Sequence, residues 1–315
     1  MKVIASSGRD DLARVYIVEF SNGLKVECAE SLQPPHTIEQ KWVMLVSTLF
    51  GCPVGCSMCD AGEGYHGKLT ATQIEDQIIM MVKRRYPNLH VPSAQFKVQF
   101  ARMGEPALNP AVLQVLEELP DKIDAPGFMP SISTVAPDGT EDFFEKLLVI
   151  KNNKYSNGHF QLQFSLHTTD CVFRKTIIPI NSWSMAKIAE YGNRFYAPGD
   201  RKVTLNFALA QGSPFEPQAL LKHFSPEKFL IKITPLNPTY RARRNKLNSH
   251  VDPSNPTKSN KIVESLKDIG YDVILSIGEQ EENHIGSNCG QYLEAHKLSD
   301  KEMKEGYTYP LKNHS

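Results

Sequence analysis

The stretch WVMLVSTLFGCPVGCSMC, residues 42–59, runs an apolar, β-branched segment straight into a loop of cysteines, glycines and a proline. It begins as a strand, Trp42–Thr48, and ends with Cys52, Cys56 and Cys59 in the spacing C-x3-C-x2-C. Thiolates are soft ligands that select iron–sulfur clusters, zinc or copper(I). A structural zinc site wants four closed ligands, and His66 is the nearest candidate for a fourth. Three thiolates on a four-iron cluster leave one iron open to the amino and carboxylate groups of a substrate. The spacing therefore reads as a catalytic cluster site. The alternatives are zinc completed by His66, or a cluster used only for electron transfer.

Outward from this stretch, strand-like and helical patterns alternate. Further strands are expected at Phe96–Arg102, Met129–Val135, Phe160–Leu166, Val203–Leu209, Phe229–Thr234 and Tyr271–Ser276. Helices are expected from Thr70, where Gln73 completes a capping box, and near residues 111–119, 142–150, 184–194, 217–223 and 258–268. Six alternations imply parallel strands joined by right-handed crossovers, in an open sheet or an incomplete barrel. Polar residues decide for the barrel. Gly104-Glu105, Ser133, Ser165, His167 and Asn237 all follow the C-terminal ends of strands, the face that carries the active site in βα barrels. Each of them alone would read equally as a strand-end turn or cap. The expected fold is thus α/β, a partial (β/α)6 barrel over residues 41–292. A small N-terminal β-hairpin extension (1–40) precedes it, signalled by Asn22-Gly23 between two strand-like runs. A C-terminal helix and loose tail (293–315) follow.

Composition narrows the class. Lys+Arg and Asp+Glu are 35 each among 315 residues, so no global polycation is present. Hydrophobic residues at 41% and charged residues at 22% describe a globular chain. No apolar run approaches the roughly 20 residues needed to span a membrane, and Arg9, Asp10 and Asp11 interrupt any signal peptide. A cytoplasmic protein with reduced thiols is expected.

The cysteine motif in this position resembles the signature of the radical S-adenosylmethionine enzymes. Further motifs resemble the RlmN/Cfr subfamily of RNA methyltransferases: Met103-Gly104-Glu105-Pro106, Leu108-Asn109, Ser133-Thr134, Ser165-Leu166-His167, Ile178-Pro179-Ile180-Asn181, Asn237-Pro238 and Cys289-Gly290-Gln291. They keep their order from about residue 41 to 292. The resemblance implies a 4Fe–4S cluster on Cys52, Cys56 and Cys59, with S-adenosylmethionine as the second cofactor. Gly104, Glu105, Ser133, Ser165, Leu166, His167 and Asn237 would bind it, Glu105 holding its amino group. Cys289 would carry a methyl group and deliver it to an electron-poor carbon of adenine in RNA. An external electron donor such as flavodoxin or ferredoxin is implied as well.

Two departures stand out. The family's second catalytic cysteine lies seven residues before the first cluster cysteine, and that position is Leu45 here. Cys171, at the expected barrel mouth, is the candidate substitute; Cys28 is another, and Glu27 beside it loosely matches a family glutamate. The family's N-terminal RNA-recognition domain has no counterpart in the residues before the core. Basic residues Arg241, Arg243, Arg244 and Lys246 around Tyr240 suit phosphate contact and base stacking. The alternative function is a radical enzyme acting on a small molecule, peptide or protein without methyl transfer. A cluster-bearing binding module without turnover is the reading from outside enzymology.

Overall fold

A computed structural model of the chain describes residues 1–62, 64–252, 255, 260–287 and 306–314. It opens with an antiparallel meander, β1 (Lys2–Arg9), β2 (Ala13–Glu19) and β3 (Lys25–Ser31), each strand paired with the next. The expected hairpin is the β2–β3 turn, where Asn22 Oδ1 accepts from the Leu24 amide. The extension is larger than a hairpin because β1 joins it. Its Ser6-Ser7-Gly8 segment dilutes the apolar signal of a strand.

β4 (Lys41–Val46) is the switch point. It pairs antiparallel with β3 and parallel with the strand that follows in the barrel. After it come a small ribbon, β5 (Leu49–Phe50) with β6 (Gly67–Lys68), and helix α1 (Ala71–Arg85), whose Thr70–Gln73 capping box is formed as expected. The chain continues as β7 (Gln95–Phe100), α2 (Ala111–Glu118), β8 (Phe128–Thr134), α3 (Glu141–Lys154), β9 (Gln161–Ser165), α4 (Cys171–Ile177), α5 (Met185–Phe195), β10 (Val203–Ala208), α6 (Pro217–Leu221), β11 (Phe229–Thr234), α7 (Tyr240–Arg244), α8 (Asn260–Asp268) and β12 (Asp272–Leu275). β4 and β7 through β12 form one parallel run in sequence order. Among the described residues β12 does not pair with β4, so the barrel is partial and open. Helix α9 (Gln280–Ile285) lays Ile285 against the meander, and β13 (Lys312–Asn313) pairs with β1. The expected loose tail is therefore anchored at its end, while the helix expected from Leu298 lies outside the described residues.

A parallel sheet covered by helices on both faces has strands that are almost continuously apolar. These strands alternate instead. Phe96, Val98 and Phe100 of β7 join Trp42, Met44, Ile132, Phe164 and Leu205 in the main core under the helices. The intervening Lys97, Gln99, Ser131, Gln161, Gln163, Thr204 and Asn206 share the other face. That face is curled. Lys97 on β7 and Lys232 on β11 act on one another electrostatically, although four inter-strand steps of about 4.8 Å each would hold them some 19 Å apart on a flat sheet.

Candidate active site

At the C-terminal end of the sheet, β4 and β7 are tied together by backbone. The amides of Thr48 and Leu49 both donate to the Met103 carbonyl, at 2.8 and 3.1 Å. Asn109 donates to the carbonyls of Thr48 and Leu69 at 2.7 and 2.8 Å. This closeness requires Gly104, whose φ is +102° and whose missing Cβ would fall 2.5 Å from the Leu49 side chain. The cysteine loop hangs from this junction, between β5 and β6.

The Cys52 sulfur faces the amides of Val54, Gly55 and Glu105. Burial still pushes its thiol pKa up to about 11, and burial together with Cys52 and Glu105 pushes that of Cys56 up to about 12. The bare thiols of Cys52 and Cys56 are protonated at neutral pH; a bound cation would take them as thiolates. Two elements clasp the loop. From α4, the Ile177 carbonyl accepts from the Ser57 amide at 2.9 Å, and Phe173, Ile177 and Ile178 pack beneath Val54, Cys52 and Cys56. From α7, the Thr239 hydroxyl donates to Met58 O at 2.7 Å and Asn245 donates to Ser57 O at 2.7 Å. Buried Asp60 accepts from the amides of Tyr240 and Arg241.

Arg241 is therefore not an outward RNA contact, as the sequence suggested. Its guanidinium lies on the cysteine loop, donating to Gly55 O at 3.0 Å and lowering the Cys56 pKa by its charge. Its Nη1 is buried with no hydrogen-bond partner among the described residues. Gly62 makes the room, since a Cβ there would come within 2.5 Å of that nitrogen. Tyr240 is stacked on Tyr307, with ring centroids 5.6 Å apart, while Arg243 and Arg244 are exposed.

Glu105 is buried on the same side. Its carboxylate accepts from the Thr134 hydroxyl at 2.5 Å, the Val135 amide at 2.9 Å and the Ala107 amide at 3.1 Å. Burial raises its pKa, and these three donors work against that rise. A carboxylate offers about four acceptor sites, so one position is left for a ligand. Ser133 and Ser165 are half-buried on the inner face of β8 and β9, and Asn237 is half-buried in the turn before α7. Leu166 departs from expectation: its side chain is in the helix-side core and its amide is bonded to Asn206 O. His167 sits at φ +65° with Nδ1 accepting from the Ala208 amide at 3.0 Å. Burial, with Arg174 nearby, lowers its pKa to about 4, so the ring is neutral and only Nε2 remains to meet a ligand.

The remaining predicted residues are spread out. Glu27 is fully buried and ion-paired with Arg102 at 2.8 Å. Arg102 also donates to the carbonyls of Gly286 and Ser287 at 2.8 and 3.0 Å. Cys28 is buried in the core and its pKa is driven far up by burial. Leu45 lies on the inner face opposite Gln99 and Ala29. Cys171 is exposed on the first turn of α4. Cys289 lies outside the described residues. Asp60 and Arg102 were missed by sequence reasoning, and Thr134 was quoted only within the Ser133-Thr134 motif, without a role. Asp60 had a signal, as an acid directly after the last loop cysteine.

The donor set fits an iron–sulfur cluster: three cysteines in one loop, backbone amides aimed at one sulfur, and an unpartnered guanidinium nitrogen beside them. His66 is exposed, and among the described residues no three His, Cys, Asp or Glu side chains are already gathered as a closed metal site.

No family model matches the chain, but curated relatives and a solved structure do. The chain is 26% identical over 294 residues to the probable dual-specificity RNA methyltransferase RlmN of Desulfitobacterium hafniense, covering 89% of this chain and 75% of that protein. To its counterpart in Thermus thermophilus it is 28% identical over 296 residues, covering 88% and 73%. To the dual-specificity RNA methyltransferase RlmN of Wolinella succinogenes it is 24% identical over 308 residues, covering 93% and 80%. The crystal structure of a radical SAM methyltransferase from Sphaerobacter thermophilus matches with a TM-score of 0.74 at 20% identity, over 92% of this chain and 80% of that one. That last likeness speaks for the fold. Fold and cysteine loop together resemble those of a radical SAM methyltransferase. The curated relatives it resembles are RlmN-type dual-specificity RNA methyltransferases, at 24–28% identity.

Proposed function

We propose that this chain is a radical S-adenosylmethionine methyltransferase that modifies an adenine carbon in RNA through Cys289. The observation that carries the reading is the junction of motifs: the Cys52 sulfur meets the backbone amide of Glu105, the acid of the Met-Gly-Glu-Pro segment. Cys52, Cys56 and Cys59 would hold the 4Fe–4S cluster. When bound, the cluster supplies the electron, received from a flavodoxin- or ferredoxin-type donor, that cleaves S-adenosylmethionine to a carbon radical. Glu105 keeps one acceptor position for the ammonium group of S-adenosylmethionine. Ser133, Ser165, His167 Nε2 and Asn237 offer neutral hydrogen bonds around it. Arg241 and α4 hold the loop against solvent. Arg102 fixes the backbone two residues before Cys289.

The test is assembly and cleavage. The reconstituted protein is expected to hold about four irons and to cleave S-adenosylmethionine under reduction, and Ala at Cys52, Cys56 and Cys59 to abolish both. Stoichiometric zinc in place of iron would overturn the reading. Leu45 favours a second possibility, a substrate other than RNA, because no thiol stands at that inner-face position to resolve a covalent adduct. Product mass separates the two.

A further inference from the structure

Arg241 reaches from α7 onto the cysteine loop further than a clasp requires. Helix α7 is already tied to the loop by other groups. The Arg241 amide donates to Asp60 Oδ1 at 2.9 Å, the Thr239 hydroxyl to Met58 O at 2.7 Å and Asn245 to Ser57 O at 2.7 Å. The guanidinium adds one bond, from Nη2 to Gly55 O at 3.0 Å. Nη1 is shielded from solvent and donates to nothing among the described residues. The group forms no ion pair there either, whereas the buried guanidinium of Arg102 is matched by Glu27 at 2.8 Å.

Two glycines of the loop make the slot for this fork. A Cβ on Gly62 would fall 2.5 Å from Nη1 and 2.8 Å from the Gly55 Cα, and a Cβ on Gly55 would fall 3.7 Å from Nη2. Gly62 is not in the left-handed region, so space rather than backbone conformation calls for a glycine there. Gly55 directly precedes Cys56. Gly62 follows Cys59 by three residues, and its amide donates to Cys59 O at 3.3 Å. The guanidinium thus lies against the chain on both sides of the Cys56–Cys59 segment, and its charge reaches Cys56.

A charged donor shielded from water and left without an acceptor loses its solvation for nothing. The acceptor this loop gathers is sulfur. A four-iron cluster on three thiolates is an anion, and reduction adds a further negative charge. A fixed cation that donates a hydrogen bond to sulfur therefore stabilises the reduced form more than the oxidised one. We propose that Arg241 donates its Nη1–H to a sulfur of the cluster held by Cys52, Cys56 and Cys59, and thereby eases the one-electron reduction of that cluster. One electron enters from the external donor; no bond forms or breaks and no proton moves. The inference rests on the cluster in the proposed function, and on neither Cys289 nor the identity of the substrate.

The experiment is a redox titration of the reconstituted full chain, without S-adenosylmethionine, followed by the electron paramagnetic resonance of the reduced cluster. Arg241→Gln is expected to lower the ratio of reduced to oxidised cluster at a given potential on the order of tenfold, equivalent to about 59 mV for one electron. Arg241→Lys keeps the charge and should recover part of the shift. Asn245→Ala releases a neutral tie to the same loop and should leave the midpoint where it is. A second measurement uses the parent chain labelled with nitrogen-15 in its arginine guanidinium groups. Pulsed resonance should show hyperfine coupling of an arginine nitrogen to the reduced cluster, and Arg241→Lys should abolish it. This coupling also decides the matter for a variant that holds too little iron to titrate. An unchanged midpoint in Arg241→Gln, an equal fall in Asn245→Ala, no arginine coupling in the parent, or a coupling that persists in Arg241→Lys would each overturn the proposal and leave the cluster reading in place. A parent chain that takes up no iron–sulfur cluster would overturn both.

Discussion

Two buried acids near the mouth of the barrel show how partners decide a residue's use. Glu27 is matched by a full counter-charge, Arg102, with both side chains almost wholly buried. Removing one partner of such a pair leaves the other as a buried lone charge, at a cost of about 3–5 kcal/mol. Arg102→Met is expected to lower stability in urea by that order, and adding Glu27→Gln to recover part of it. Failure of the double variant to recover stability would contradict the pairing. Among the described residues Glu105 meets no cation; its donors are a hydroxyl and two amides. It can therefore greet an ammonium that Glu27 cannot. Glu105→Gln should keep the cluster and its iron while weakening S-adenosylmethionine by roughly 10- to 150-fold, read by equilibrium dialysis. Unchanged affinity would remove Glu105 from the binding set.

At the level of elements, the cysteine loop is held from α7 as much as by its own turns. Asp60 caps the strap by accepting from two of its amides, and Arg241 returns from the strap to Gly55 O. Asp60→Ala is expected to leave the barrel folded but speed loss of iron under chelator, followed by absorbance. Equal rates would show that α7 does not retain the loop. A pH dependence belongs to β7. Burial and neighbouring cations lower the Lys97 pKa from 10.5 to about 7. Between those values the unfolded chain holds a proton that the folded one has released, so folding stability rises with pH. The stability deficit of the parent relative to Lys97→Met should be full below pH 7 and shrink toward pH 10. A pH-independent difference would contradict the lowered pKa.

The parallel strands were legible because most carry an apolar alternate set, and polar motifs mark the ends of β7, β8, β9 and β11. Gly104 and Glu105 and the three cysteines were legible because their spacing is local. The strand β1 was not, with serines and a glycine at its centre, and neither was α7, whose cap Thr239 follows Asn237-Pro238 in what reads as a loop. The Glu27–Arg102 pair and the Asp60–Arg241 clasp join segments 75 and 181 residues apart. No periodicity records such contacts, and Arg241 among other arginines resembled a solvent-facing basic patch.

Among the described residues, an antiparallel meander, a parallel curled sheet and a returning C-terminal segment form one eleven-stranded sheet. Helix α9 folds back over the meander and delivers Gly286 and Ser287 to Arg102, which stands next to the Met103-Gly104-Glu105 turn. Among the described residues no helix is long and apolar enough to cross a membrane. The architecture thus brings the chain just before Cys289 to the end of the sheet that carries the cysteine loop, as the methyl-carrier reading requires. The measurement that tests that reading most directly is the mass of the Cys289 peptide after anaerobic incubation of the reconstituted chain with S-adenosylmethionine deuterated in its methyl group. A trideuteromethyl group on Cys289, followed under reduction by an adenine methyl group in RNA that keeps two of the three deuterons, the third leaving with the abstracting radical, is the predicted result. An unmodified Cys289 in a protein that holds its cluster and cleaves S-adenosylmethionine would contradict it.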